Sequence, residues 1–180
     1  AGLDLDLPLS RCGGAFCTSY TIDGTRFKAV VDTGSPFLLV DGSCSEGRRS
    51  VWGCFDASMT QSTSLGELAD VYFGEIFLCS AAASRQLSCW STSGGQNLVV
   101  EWRRGAVSFQ GQQLSPVEFG VVQSYQGKGG SGAIFLGLVK ERNYRIRPTL
   151  LGQTGFQSMT FRLLGEKPSL TLRRCPCACS

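Results

Sequence analysis

The segment of this sequence best suited to chemistry is Asp32-Thr33-Gly34-Ser35, which sits between two apolar runs, Phe27–Val31 and Pro36–Val40. A carboxylate in a tight turn between buried strands can be held by surrounding N–H and hydroxyl donors. Gly34 lets another backbone approach closely, and the Thr33 hydroxyl can brace the turn. Three such residues occur by chance in many chains; the apolar flanks and the following serine make the pattern far more specific. The chain contains no histidine. Ser-His-Asp and Cys-His catalysis both need an imidazole to take the nucleophile's proton, and the commonest catalytic zinc sites use histidine ligands. Chemistry here must therefore run on carboxylates, thiols, lysines or backbone groups, and no cofactor is expected.

Thiols are the second group of interest. The nine cysteines include three close pairs, Cys12/Cys17, Cys44/Cys54 and Cys79/Cys89, each of which would staple a loop as a disulfide. Spacing alone does not fix connectivity. The density favours an oxidising compartment, secreted or within an organelle lumen. The tail Cys175-Pro-Cys177-Ala-Cys179 admits two readings, a soft-metal or redox clip and a set of intra-tail or interchain disulfides, the second being favoured. An odd count leaves at least one thiol free or bonded to another chain. Ala1–Leu9 carries acidic residues and no basic start, unlike a signal peptide, and a beginning without Met reads as the result of a removed targeting peptide.

These groups must be positioned by a β framework. Of the 180 residues 42% are hydrophobic, only 17% are charged, and 23 are glycine, a mixture suited to short strands and tight turns in one domain. The net charge of +3 is too small and scattered to argue for nucleic acid. No stretch approaches the length of a transmembrane segment. Leu3–Leu9 alternates like a half-buried strand, with Pro8 suggesting an edge. Phe16–Ile22 and Thr25–Asp32 read as a hairpin closed by Asp23-Gly24. Residues 41–66 read as a disulfide-tied loop region, followed by a strand over Glu67–Leu78 and a loop over Ala81–Gly95. Further strands are expected over Leu98–Trp102, Ala106–Phe109, Val117–Gln123, Ala133–Val139, Ser158–Leu164 and Ser169–Leu172. A Gly-rich link is expected over Tyr125–Gly132, and a brief helix or turn over Arg147–Leu151.

The Asp32 segment resembles the active-site loop in the first lobe of the pepsin-like aspartic protease family. Other landmarks follow in the same order. Phe135-Leu136-Gly137-Leu138 resembles the element that lies beneath that loop and braces it, and Pro148–Leu151 with Ser158–Leu164 resembles the lobe's short helix and closing strands. Val71-Tyr72-Phe73-Gly74 sits where the family's flap is expected, making Tyr72 a weak flap candidate that reads equally well as a buried strand tyrosine. The resemblance covers roughly residues 14 to 165. It implies a mainly β, single-lobe fold with an N-terminal strand or arm over 1–13 and a C-terminal strand and Cys-rich tail over 166–180.

Three departures matter. Leu39 stands where the family usually has a tryptophan that contacts the flap tyrosine. The flap region carries an insertion through Cys79/Cys89. There is no second Asp-Thr-Gly or Asp-Ser-Gly, and Asp23-Gly24 and Asp41-Gly42 lack the intervening residue. Aspartic protease chemistry needs two carboxylates sharing one proton, because like charges about 3 Å apart cannot both ionise. Alone, Asp32 is half of a dyad. The resemblance thus implies a partner chain. The chain is a non-catalytic binding or scaffold subunit of a larger assembly, or a homodimeric endopeptidase, or the first half of a two-chain enzyme. The last two would cut peptides, and the first is favoured by the missing motif, the altered flap and the extra tail.

Overall fold

The computed structural model describes residues 4–42, 51–70, 97–114, 116–126, 134–140 and 147–174. Thirteen strands and one short α-helix run through them as β1 (Leu5–Pro8), β2 (Ser10–Cys12), β3 (Ala15–Ile22), β4 (Thr25–Asp32), β5 (Leu39–Asp41), β6 (Thr63–Asp70), β7 (Asn97–Gly105), β8 (Val107–Phe109), β9 (Gln112–Gln113), β10 (Val117–Gln126), β11 (Phe135–Gly137), α1 (Leu150–Thr154), β12 (Phe156–Arg162) and β13 (Ser169–Arg174). The protein is mainly β. One sheet has the order β11-β4-β3-β8-β9, with β2 also on β3; a second has the order β5-β10-β7-β6; a third is β1-β13-β12.

The β3–β4 hairpin forms where expected. Asp23 and Gly24 both have positive φ, 47° and 84°, which is the two-residue hairpin turn that the Asp-Gly pair favours. Its alternation sends Tyr20, Ile22, Phe27 and Ala29 into the main core. Cys12 and Cys17 are joined by a disulfide across the β2–β3 turn. Cys54 is also disulfide-bonded. Cys44, with which its spacing pairs it, lies outside the described residues, as do Cys79, Cys89, Cys175, Cys177 and Cys179.

Several boundaries differ from the sequence reading. β6 begins at Thr63, inside the segment read as loop, because its polar residues pair in the β7 ladder rather than needing a buried face. β7 runs on through Arg103 and Arg104 to Gly105. Arg103 is almost wholly buried, yet its guanidinium donates to Ser62 Oγ and O and to Glu101 Oε1 and lies over the Phe55 ring. A satisfied arginine can sit inside a sheet where an unsatisfied one could not. β2 was not foreseen, being three residues with no apolar alternation.

The two ends of the chain meet. β1 and β13 are antiparallel, with Leu5 opposite Leu172 and Leu7 opposite Leu170. All four leucines are buried in the main core. Asp4 and Arg173 approach to 3.4 Å, a half-exposed pair worth little in stability. On the other side of β13, Met159 and Phe161 of β12 stand opposite Leu172 and Leu170 and so continue the same face. They are only partly covered: Met159 is 37% exposed and Phe161 36%, and the adjoining Leu164 is 90% exposed. Among the described residues β1 and β12 are thus the outer strands of the third sheet, and β12 carries the partly exposed apolar row.

Candidate active site

Asp32 ends β4, and the chain then turns across the end of β11. β11 is parallel to β4, with Phe135 opposite Val30, Leu136 opposite Val31 and Gly137 opposite Asp32. On its other side Leu38 bridges Leu136. The segment from Asp32 to Leu38 thus arches over β11, and backbone hydrogen bonds tie the arch down: Leu138 N–H donates to Asp32 O (2.9 Å), Val139 N–H to Ser35 O (3.0 Å) and Gly137 N–H to Phe37 O (2.9 Å). A side chain at residue 137 would not fit, since a Cβ there would lie 2.5 Å from Phe37 N and O and 2.6 Å from Ser35 O. The helix pins the same arch from behind. Leu150 N–H donates to Pro36 O at 2.9 Å, and Thr149 caps α1 by accepting from Gly152 N–H while its hydroxyl donates to Lys140 O.

The arch holds the carboxylate by both oxygens. Gly34 N–H donates to Asp32 Oδ1 at 2.8 Å, and Ser35 Oγ donates to Asp32 Oδ2. Ser35 is buried, Asp32 half-buried, and Thr33 and Gly34 are exposed. The four motif residues therefore form one unit: two donors fix the orientation of a carboxylate that still reaches the surface. Such a group is set up to exchange a proton or bind a polar ligand, and it needs a second acid to share a proton as a dyad.

Tyr72 lies outside the described residues, although the stem leading toward it, β6 with β7 up to Asp70 opposite Val99, is described. Leu39 is buried in a second apolar cluster with Phe37, Val100, Trp102, Val122 and Phe135. Nothing in the sequence singles out Trp102. Its ring meets Phe37 edge-on at 4.9 Å between centroids, so β7 supplies an indole to the cluster that holds Leu39. A tryptophan inside a strand reads equally as ordinary core, and only three-dimensional packing reveals its place beside the arch. Trp102 Nε1 is buried with no hydrogen-bond partner among the described residues. Among those residues no group of three or more His, Cys, Asp or Glu side chains could hold a metal ion. No helix among them is long and apolar enough to cross a membrane. No protein-family model and no curated protein matches the chain.

Proposed function

We propose that this chain is a single lobe of the pepsin-like aspartic protease fold, inert alone, that serves as a binding or scaffold subunit of a larger assembly. The observation that carries the reading is the arch over β11. An Asp-Thr-Gly-Ser turn, braced by a parallel strand whose glycine packs against its backbone, is the relationship the resemblance implies between Asp32 and Phe135–Leu138. The absence of a second motif in the sequence leaves the site with one carboxylate, which cannot share a proton with itself. The edge strand β12 is the surface on which a partner docks, since among the described residues no strand pairs with its outer side and its apolar row is partly exposed. The disulfide at Cys12–Cys17 supports residence in an oxidising compartment.

A second reading is favoured by the carboxylate cradle itself. Both Asp32 oxygens are held by donors, an arrangement a pure scaffold does not need, and a second aspartate from another chain would make an acid endopeptidase. Native mass with identification of co-purifying chains, combined with a peptide-library assay at acidic pH, tests both. A different, larger partner and no cleavage support the subunit reading. A dimer of this chain that cleaves peptides and loses activity in Asp32→Asn supports the enzyme. A monomer with no partner and no activity defeats both.

A further inference from the structure

Away from Asp32, one face of the β2-β3-β4 sheet forms a cationic cleft. In the ladder Lys28 is opposite Ser19, Arg26 is opposite Thr21, and Ser10 is opposite Cys17. Directly opposed residues share a face, and so do alternate residues of a strand. Ser10, Ser19, Lys28 and Arg26 therefore stand on the same side. Together with Phe27, Val51, Trp52 and Gly53 they line a cleft of about 640 Å³, within the size range of small-ligand sites, roughly 300–1,000 Å³. Among the described residues no carboxylate lines it. Neither the Arg26 nor the Lys28 side chain has an ion pair or hydrogen bond to another described residue, whereas Arg103, Arg147 and Arg173 each pair with an acid. Two cations with no acidic partner among the described residues, set in a concave wall, raise the local anion concentration.

From this we infer that the cleft binds a tetrahedral dianion, the phosphate of a phosphomonoester or free phosphate, and this does not rest on the protease reading. Charge matches first: a dianion neutralises both Arg26 and Lys28, while a single carboxylate leaves one uncompensated. Donor geometry matches next. A guanidinium fork, a rotatable ammonium and two serine hydroxyls suit an acceptor with three or four oxygens better than one with two. Val51, half exposed, and the edge of Trp52 offer apolar surface for the organic part of an ester. Lys28 is four residues before Asp32, about 13 Å along an extended strand, so an anion held here does not reach the candidate carboxylate.

Calorimetric titration of the full chain with inorganic phosphate, phenyl phosphate and succinate at low salt tests the assignment. Saturable one-to-one binding of phosphate or phenyl phosphate is expected, weakened about tenfold in each of Arg26→Gln and Lys28→Gln as a charge-assisted contact is lost. Arg162→Gln, a charge change on β12, should leave it unaltered. Tighter binding of phenyl phosphate than phosphate identifies an ester as the ligand, and equal binding identifies free phosphate. No saturation up to about 10 mM, a limit that corresponds to negligible affinity, overturns the proposal. So does succinate binding as tightly as either phosphate, or equal weakening by Arg162→Gln. Circular dichroism of each variant separates lost binding from lost fold.

Discussion

Gly137 and Phe37 are locked together through their backbones: the N–H of Gly137 donates to the carbonyl of Phe37, and no room is left between them for a methyl group. Because the collision is with backbone atoms on several sides, it cannot be relieved by a side-chain rotation. Gly137→Ala should cost at least about 2 kcal/mol, in the range of overpacked cores, and should displace the arch that carries Asp32. Chemical denaturation measures the first effect, and amide chemical shifts of Thr33–Ser35 measure the second. A variant with wild-type stability and unshifted amides would contradict the close packing.

Ser35 holds one oxygen of Asp32 and is itself buried. Ser35→Ala removes that donor while leaving Gly34 N–H in place. Loss of a hydrogen bond to a charged group should destabilise the lobe by about 1.5–3 kcal/mol. Asp32→Asn keeps the shape and should leave the fold intact. In any assembly that cleaves peptides, Asp32→Asn should abolish turnover while Ser35→Ala only reduces it. Equal activity of Asp32→Asn and wild type would remove Asp32 from the chemistry.

Tyr20 is packed between Phe27 and Phe109, with its hydroxyl buried and unpartnered among the described residues. Burial disfavours the phenolate and raises its pKa far above the ordinary tyrosine value of 10.0. The folded state thus keeps the proton while the unfolded chain releases it above pH 10. Below that pH the group contributes no slope, and above it stability should fall as pH rises, by up to about 1.4 kcal/mol per pH unit. Tyr20→Phe removes that slope. At neutral pH it should change stability by less than about 1 kcal/mol, since no hydrogen bond to another described residue is lost. Paired denaturation curves at neutral and alkaline pH check both statements.

The β3–β4 hairpin was legible because its Asp-Gly turn and its period-two apolar pattern are local signals. The pairing of β1 with β13 was harder, joining residues 165 apart. The alternating leucines and the oppositely charged residues of the two segments allow such a pair with leucines inward, but local pattern alone does not choose it over pairing with another chain. The pairing makes β13 the central strand of that sheet and leaves β1 and β12 as its two outer strands among the described residues. The strand over Ser158–Leu164 was read from its apolar residues, whose period gave no sign that Met159 and Phe161 stay partly exposed. Burial depends on what lies opposite, which a single strand does not encode. The support from Trp102 and the buried Arg103 was illegible for the same reason: both owe their roles to neighbours distant in sequence.

The Cys12–Cys17 disulfide closes a short loop, with Cα atoms 5.9 Å apart across the β2–β3 turn. Constraint of so short a loop in the unfolded chain is worth about 2 kcal/mol. Replacing Cys12 by Ser and Cys17 by Ala, which keeps the buried position apolar, should lower stability by about that amount without unfolding the protein. Non-reducing peptide mapping should recover the Cys12–Cys17 peptide. Pairing of either cysteine elsewhere would overturn the local staple.

The open edge of β12 makes the last prediction. Met159 and Phe161 extend the leucine face of the third sheet beyond the core, and beside them no strand completes the ladder among the described residues. An edge that is both unpaired and apolar is what a partner strand extends. If the partner is a second copy, an antiparallel pairing centred on Thr160 sets Met159 opposite the other copy's Phe161 and Arg162 opposite Ser158. The apolar row is then continuous and no like charges face each other. Phe161→Asp places a charge in that row and should release the partner, whichever chain it is, while the lobe stays folded because Phe161 is already a third exposed. Phe161→Leu should retain the association. Native mass and circular dichroism of both variants decide the matter: an assembly that survives Phe161→Asp unchanged does not form through β12.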